Sequence, residues 1–126
     1  MRFTEDQYND LKDEIRSWIL RIDEEEMLPK GIKALNFGLI EPYGIELTGA
    51  KVYNAEDDDW CFQEDFVPEE RECPDIDINE TISPDYFKKT VVLILKEILP
   101  ELKDLDLLKV SHITAGFREK DLIEVK

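Results

Sequence analysis

Lysine and arginine are scarce in this chain, 16 against 31 aspartates and glutamates, which leaves a formal net charge of −15. Nucleic-acid phosphates are held by basic surfaces, so this balance argues against DNA and RNA as direct partners and disfavours an anionic membrane surface. Long apolar runs are missing too. The longest is the five residues 91–95, far short of the roughly 20 that cross a bilayer. Met1-Arg2-Phe3-Thr4-Glu5-Asp6 turns acidic at once with no apolar leader core behind it, so a cytoplasmic protein is expected. There are two cysteines, Cys61 and Cys73; without export they are expected to be reduced thiols, and their spacing matches no zinc-binding pair. His112 is the single histidine, so it has no fellow ligand for a zinc site. The five glycines, at 31, 38, 44, 49 and 116, are scattered as turn and bulge residues. They form no phosphate-cradling loop, dinucleotide fingerprint or nucleophile elbow. No catalytic residue, metal or cofactor is assigned.

What is present suffices for a core. The 126 residues are 42% apolar and include twelve aromatics, consistent with a single domain over 1–126. Thr4 with Gln7 three residues on reads as a capping box, and Tyr8, Leu11, Ile15, Trp18, Ile19 and Ile22 follow at helical spacing, predicting a helix over 5–25. In 32–40, Leu35, Phe37 and Leu39 alternate with smaller residues; 45–53 alternates again, with Ile45 and Leu47 on one face and Gly49 read as a bulge. These runs predict a hairpin turning at 41–44. Residues 60–62 read as a short third strand, and 64–79 as an excursion over the surface anchored by Phe66, Val67, Ile76 and Ile78. Ser83-Pro84 starts a second, more buried helix that Pro100 ends or kinks. Residues 108–117 and 122–125 read as strands joined by a turn at 118–121. The order is α-β-β-β-α-β-β. The expected fold is a two-layer α+β domain, an antiparallel sheet of four to five strands with two helices packed on one face.

The negative charge is concentrated. Residues 5–26 hold nine acids and three bases, and 56–77 hold eleven acids and one base, Arg71. Concentration costs self-repulsion and makes a local field that steers a basic partner. Three readings compete at Asp57-Asp58-Asp59. A calcium loop would need a glycine at its sixth position, where counting from Asp57 places Phe62. A solvated acidic turn is the plain reading. An interaction site is the third, because Trp60 and Phe62 stand beside the acids and an aromatic among carboxylates can anchor a basic partner. Composition does not separate a loop that merely stays in water from one that mimics a phosphate backbone.

Two stretches resemble a known group. Phe37-Gly38-Leu39, then Gly49-Ala50-Lys51-Val52-Tyr53-Asn54-Ala55-Glu56-Asp57-Asp58-Asp59-Trp60-Cys61 and Glu64-Asp65-Phe66-Val67-Pro68, resemble small bacterial immunity-type proteins that accompany toxins of polymorphic or contact-dependent systems. Ile113-Thr114-Ala115-Gly116-Phe117 with Asp121-Leu122-Ile123-Glu124-Val125 resembles their strand–turn–strand ending, although Arg118-Glu119-Lys120-Asp121 replaces the acidic, glycine-containing turn of the pattern. The resemblance covers about 35–68 and 110–125. It implies a non-catalytic protein that neutralises one cognate toxin. The expected partner is therefore a basic protein, a toxin domain, met by Asp57, Asp58, Asp59, Trp60, Phe62, Glu64, Asp65 and Tyr43. Two other classes stay open. One is a ligand-binding domain or enzyme with a pocket between sheet and helices, for which His112 and Cys61 are the first candidates. The other is a structural homodimer whose acidity serves solubility.

Overall fold

The computed structural model describes residues 2–41, 43–117 and 122–126. Helix α1 spans Glu5–Glu25. Its capping box forms as expected: the Thr4 hydroxyl accepts from the Gln7 amide at 3.1 Å, and the Gln7 side chain accepts from the Thr4 amide at 2.8 Å. Leu11, Ile15, Trp18, Ile19 and Ile22 form its buried stripe. Strands β1 (Ala34–Ile40) and β2 (Gly44–Ala50) make the antiparallel hairpin. Helix α2 (Pro84–Glu101) starts under the Ser83 cap and carries Pro100 one residue before its end. Strands β3 (His112–Gly116) and β4 (Ile123–Glu124) complete a four-stranded sheet in the order β2-β1-β3-β4. The joining turn expected at 118–121 lies outside the described residues.

Both helices cover one face of the sheet. Leu35, Phe37 and Leu39 of β1, Ile45 and Leu47 of β2, and Ile113 and Ala115 of β3 share one core with Trp18, Phe87, Ile94 and Ile98 of the helices. The Trp18 and Phe37 rings meet edge-on at 6.0 Å. The opposite face is small and polar: Asn36, Thr48 and Thr114 are buried there, and the Thr114 hydroxyl donates to the Asn36 side-chain oxygen at 2.9 Å.

Three expectations need correction. First, the sheet is mixed. Strands β1 and β3 pair in parallel, from Ala34 opposite His112 to Gly38 opposite Gly116. Short turns dictate antiparallel pairing only for β1–β2 and β3–β4. The long connection 51–111 contains α2 as a crossover, which a parallel pair requires. Second, 60–62 is no strand. Asp58–Phe62 is a 3₁₀ helix capped by Asp57, whose side chain accepts from the Asp59 amide at 3.0 Å. Third, Gly49 is no bulge. It pairs in register with Leu35, and a Cβ there would come within 3.1–3.2 Å of Leu35, Ile32 and Phe66 side chains. Close approach of a neighbouring segment explains the glycine.

That segment is the acidic one. It lies along the outer edge of β2 instead of standing away from the globule. Gly49 N–H donates to the Phe66 carbonyl at 2.8 Å, Leu47 N–H to that of Arg71 at 2.9 Å, and Cys73 N–H to that of Ile45 at 2.8 Å. The exposed edge of a sheet is thereby covered. Phe66 is buried, Ile76 and Ile78 pack against the core, and Val67 stays exposed.

Candidate partner-binding surface

Beyond β2 the chain turns at 51–57 and enters the 3₁₀ helix, which drives Trp60 and Cys61 into a small second cluster with Ala34 and Ala50. Tyr53 packs against Trp60 at 5.2 Å and stacks on His112 at 3.7 Å with the rings 6° apart. His112 Nδ1 lies 2.7 Å from a Glu124 carboxylate oxygen. Asp58 accepts from the Leu122 amide at 3.3 Å, tying the helix to the residues entering β4. Asp65 accepts from the Lys51 amide at 2.8 Å.

Arg71 is the hub of the following stretch. Its guanidinium makes a two-pronged contact to Glu64 at 2.8 and 3.0 Å and donates to Glu46 at 3.1 Å. The hydrogen bonds to Glu64 and then Glu46 push its pKa well above the usual value. Arg21 grips Glu70 at 3.1 and 3.2 Å, the Trp18 indole donates to the Glu70 carbonyl at 2.7 Å, and Glu26 accepts from the Glu69 amide at 2.8 Å. The acidic segment is thus pinned to β2 on one side and to α1 on the other.

Six of its eleven acids are left pointing to water. Glu56, Asp59, Glu69, Glu72, Asp75 and Asp77 are exposed, and their side chains make no ion pair or hydrogen bond among the described residues. Phe62 (44% exposed), Val52 (47%) and Val67 (41%) accompany them on the segment and its approach. A shallow cleft of about 270 Å³, lined in part by Val52, Asn54, Asp57, Asp59 and Gln63, opens beside the 3₁₀ helix.

The residues expected to meet a partner divide. Asp57, Asp59, Phe62 and Asp65 are at the surface, Asp57 and Asp65 also capping backbone amides. Asp58 is half-buried and structural, and Glu64 is committed to Arg71. Trp60 is only 5% exposed, so it supports the surface from beneath instead of anchoring a partner. Tyr43 sits at the other end of β2, half-buried against the core, packed on Phe87 at 4.6 Å with its hydroxyl donating to the Ile82 carbonyl. Sequence reading passed over Val52 as a surface residue. It lies two residues beyond the end of β2, where strand alternation no longer says which way a side chain turns.

His112 is stacked on Tyr53 and paired with Glu124, and Cys61 is buried in the second cluster. Neither cysteine is in a disulfide. Burial, with the nearby Glu14 charge, pushes the Cys73 thiol up to about 12, so it stays protonated at neutral pH. Among the described residues no group of three or more His, Cys, Asp or Glu side chains is placed to hold a metal ion. None of their helices is long and apolar enough to cross a membrane.

Compared with family models, curated proteins and solved structures, the chain matches none.

Proposed function

We propose that this chain is a non-catalytic inhibitor that neutralises a basic protein partner by covering its cationic surface, as a cytoplasmic immunity protein covers its cognate toxin domain. The supporting observation is the set of six unpaired carboxylates on a segment pinned along both margins, with Phe62, Val52 and Val67 exposed among them. Carboxylates on a loose loop would lose freedom on docking. Here the backbone at Asp59 and over 65–73 is already hydrogen-bonded, so less ordering cost falls on association there. The acids draw a basic surface in from a distance, and the apolar side chains supply desolvated contact once it arrives.

The test uses the protein encoded by the reading frame adjacent to this chain's gene. Expressed alone it should be toxic; expressed with this chain it should be harmless and recovered in a one-to-one complex. The quadruple variant Glu56→Lys, Asp59→Lys, Glu69→Lys, Glu72→Lys should fold normally and weaken that complex at least about tenfold. Failure of the two proteins to associate, or unchanged affinity in the quadruple variant, would contradict the proposal.

A further inference from the structure

A second concave surface lies away from the 3₁₀ helix, where the first half of α1 faces the chain entering α2. It is a groove of about 290 Å³. Its floor is apolar: Leu11 and Ile82 are buried, and Phe3, Ile76 and Ile78 are partly buried against the core. Its rim is acidic. Asp10 and Glu14 stand one helical turn apart on α1, and Asp75 and Asp77 stand on the opposite wall.

The sequence explains both features. On α1, positions 7, 10, 11 and 14 fall on one stripe of the helix. Across the groove, Asp75-Ile76-Asp77-Ile78 alternates acid and apolar, so its isoleucines turn inward and its aspartates outward. Asp75 holds a left-handed backbone, φ 57°, which an aspartate tolerates better than most residues. None of the four rim carboxylates forms an ion pair among the described residues, while Asp13 and Glu70 nearby in sequence are taken by Arg16 and Arg21.

We infer that this groove is a docking site for a protruding segment of a basic protein in which an arginine or lysine adjoins an apolar residue. Charge complementarity selects that occupant. The apolar side chain and the aliphatic stem of the basic one lie on the isoleucine floor, and the cationic head meets the aspartates at the rim. A second copy of this chain would bring another net −15 to the same place, and an anionic or purely apolar ligand leaves four carboxylates without a counterpart. The site extends the proposed function by naming the chemistry of a second contact, and it can be tested without the partner.

The probes are acetyl-leucyl-arginine amide and its neutral isostere acetyl-leucyl-citrulline amide, titrated into the full chain while backbone amide resonances are followed by NMR. Saturable shifts are expected at residues 7–14 and 75–79, with the citrulline peptide about threefold to tenfold weaker. Asp10→Asn with Asp77→Asn should bring the arginine peptide to the citrulline level and leave resonances outside the groove in place. Equal affinity for both peptides, shifts spread over the whole acidic surface, or no shifts at all would overturn the inference. Self-association involving the same amides and strengthened by salt would assign the groove to a second copy and overturn it as well. The quadruple lysine variant around Phe62 should bind the peptide normally, so a failed groove and a failed inhibitor proposal are told apart.

Discussion

The indole N–H of Trp18 donates to the backbone carbonyl of Glu70 at 2.7 Å. Trp18 is fully buried at the centre of α1, and Glu70 belongs to the acidic segment. One bond therefore couples the core of the domain to the surface proposed to meet its partner. Trp18→Phe keeps most of the apolar contact with Phe37 and deletes the donor. It should cost about 1–3 kcal/mol, because a carbonyl satisfied from the interior is left without its partner. Urea unfolding measures the loss, and amide hydrogen exchange at Leu47, Gly49 and Cys73 should accelerate more than exchange in β3.

Arg71 holds Glu64 and Glu46 together, and the Glu46 side chain is 13% exposed. Arg71→Met keeps the aliphatic stem and removes the guanidinium they share. The expected cost is about 1–2 kcal/mol, with the crossing of 64–72 over β2 loosened first. Chemical denaturation and limited proteolysis within 63–72 check both parts. Unchanged stability would mean that the backbone bonds to β2 and the contacts of Glu70 and Glu69 with α1 secure the segment without Arg71.

The alkaline side of the stability curve has identifiable sources. Cys73 is raised to about 12 by burial first and by Glu14 second, and Tyr8 to about 12 by burial first and its bond to Glu97 second. Both groups hold their protons more tightly folded than unfolded. Their contribution is fully present below the unfolded values, near 9.0 for the thiol and 10.0 for the phenol, and is lost as pH rises toward 12. Cys73→Ala should flatten the fall in stability that begins near pH 9. In the native protein, iodoacetamide should label Cys61 and Cys73 at least about a hundredfold more slowly than a free thiol, since the buried thiols react through opening of the structure.

Trp60 and Phe62, two residues apart, should respond oppositely to truncation. Trp60→Ala removes the centre of the second cluster beneath Ala34 and Ala50 and should cost about 3 kcal/mol or more. Phe62→Ala removes a ring that is 44% exposed and should cost about 1 kcal/mol or less, yet weaken the partner complex. Thermal melts paired with binding to the adjacent-gene product separate the two roles.

Much of the fold was legible because local chemistry and burial agreed. The Thr4–Gln7 box, the Leu11–Ile15–Trp18–Ile22 spacing and the Ser83-Pro84 start each specify their helix, and Leu35, Phe37 and Leu39 specify which face of β1 turns inward. What local pattern does not carry is which strand neighbours which. Nothing in 108–117 states that β3 will lie parallel to β1, because the crossover through α2 decides it. Trp-Cys-Phe at 60–62 has strand-forming residues, but the Asp57 cap closes a 3₁₀ turn over them. The charge block of 56–77 is plain in the sequence, and of the residues expected to meet a partner Asp57, Asp59, Phe62 and Asp65 lie at the surface. Trp60 and Tyr43 were misplaced for one reason: an aromatic beside acids looks the same in sequence whether its ring turns outward or into the core.

The central claim is that the unpaired carboxylates of 56–77 draw in a basic partner. The most direct measurement is the association rate of the chain with the adjacent-gene product between about 0.05 and 0.5 M salt, for wild type and for the quadruple lysine variant. The account predicts a wild-type rate that falls about tenfold or more over that range, and a variant that starts slow and barely responds to salt. Equal rates for the two proteins, insensitive to salt, would contradict it.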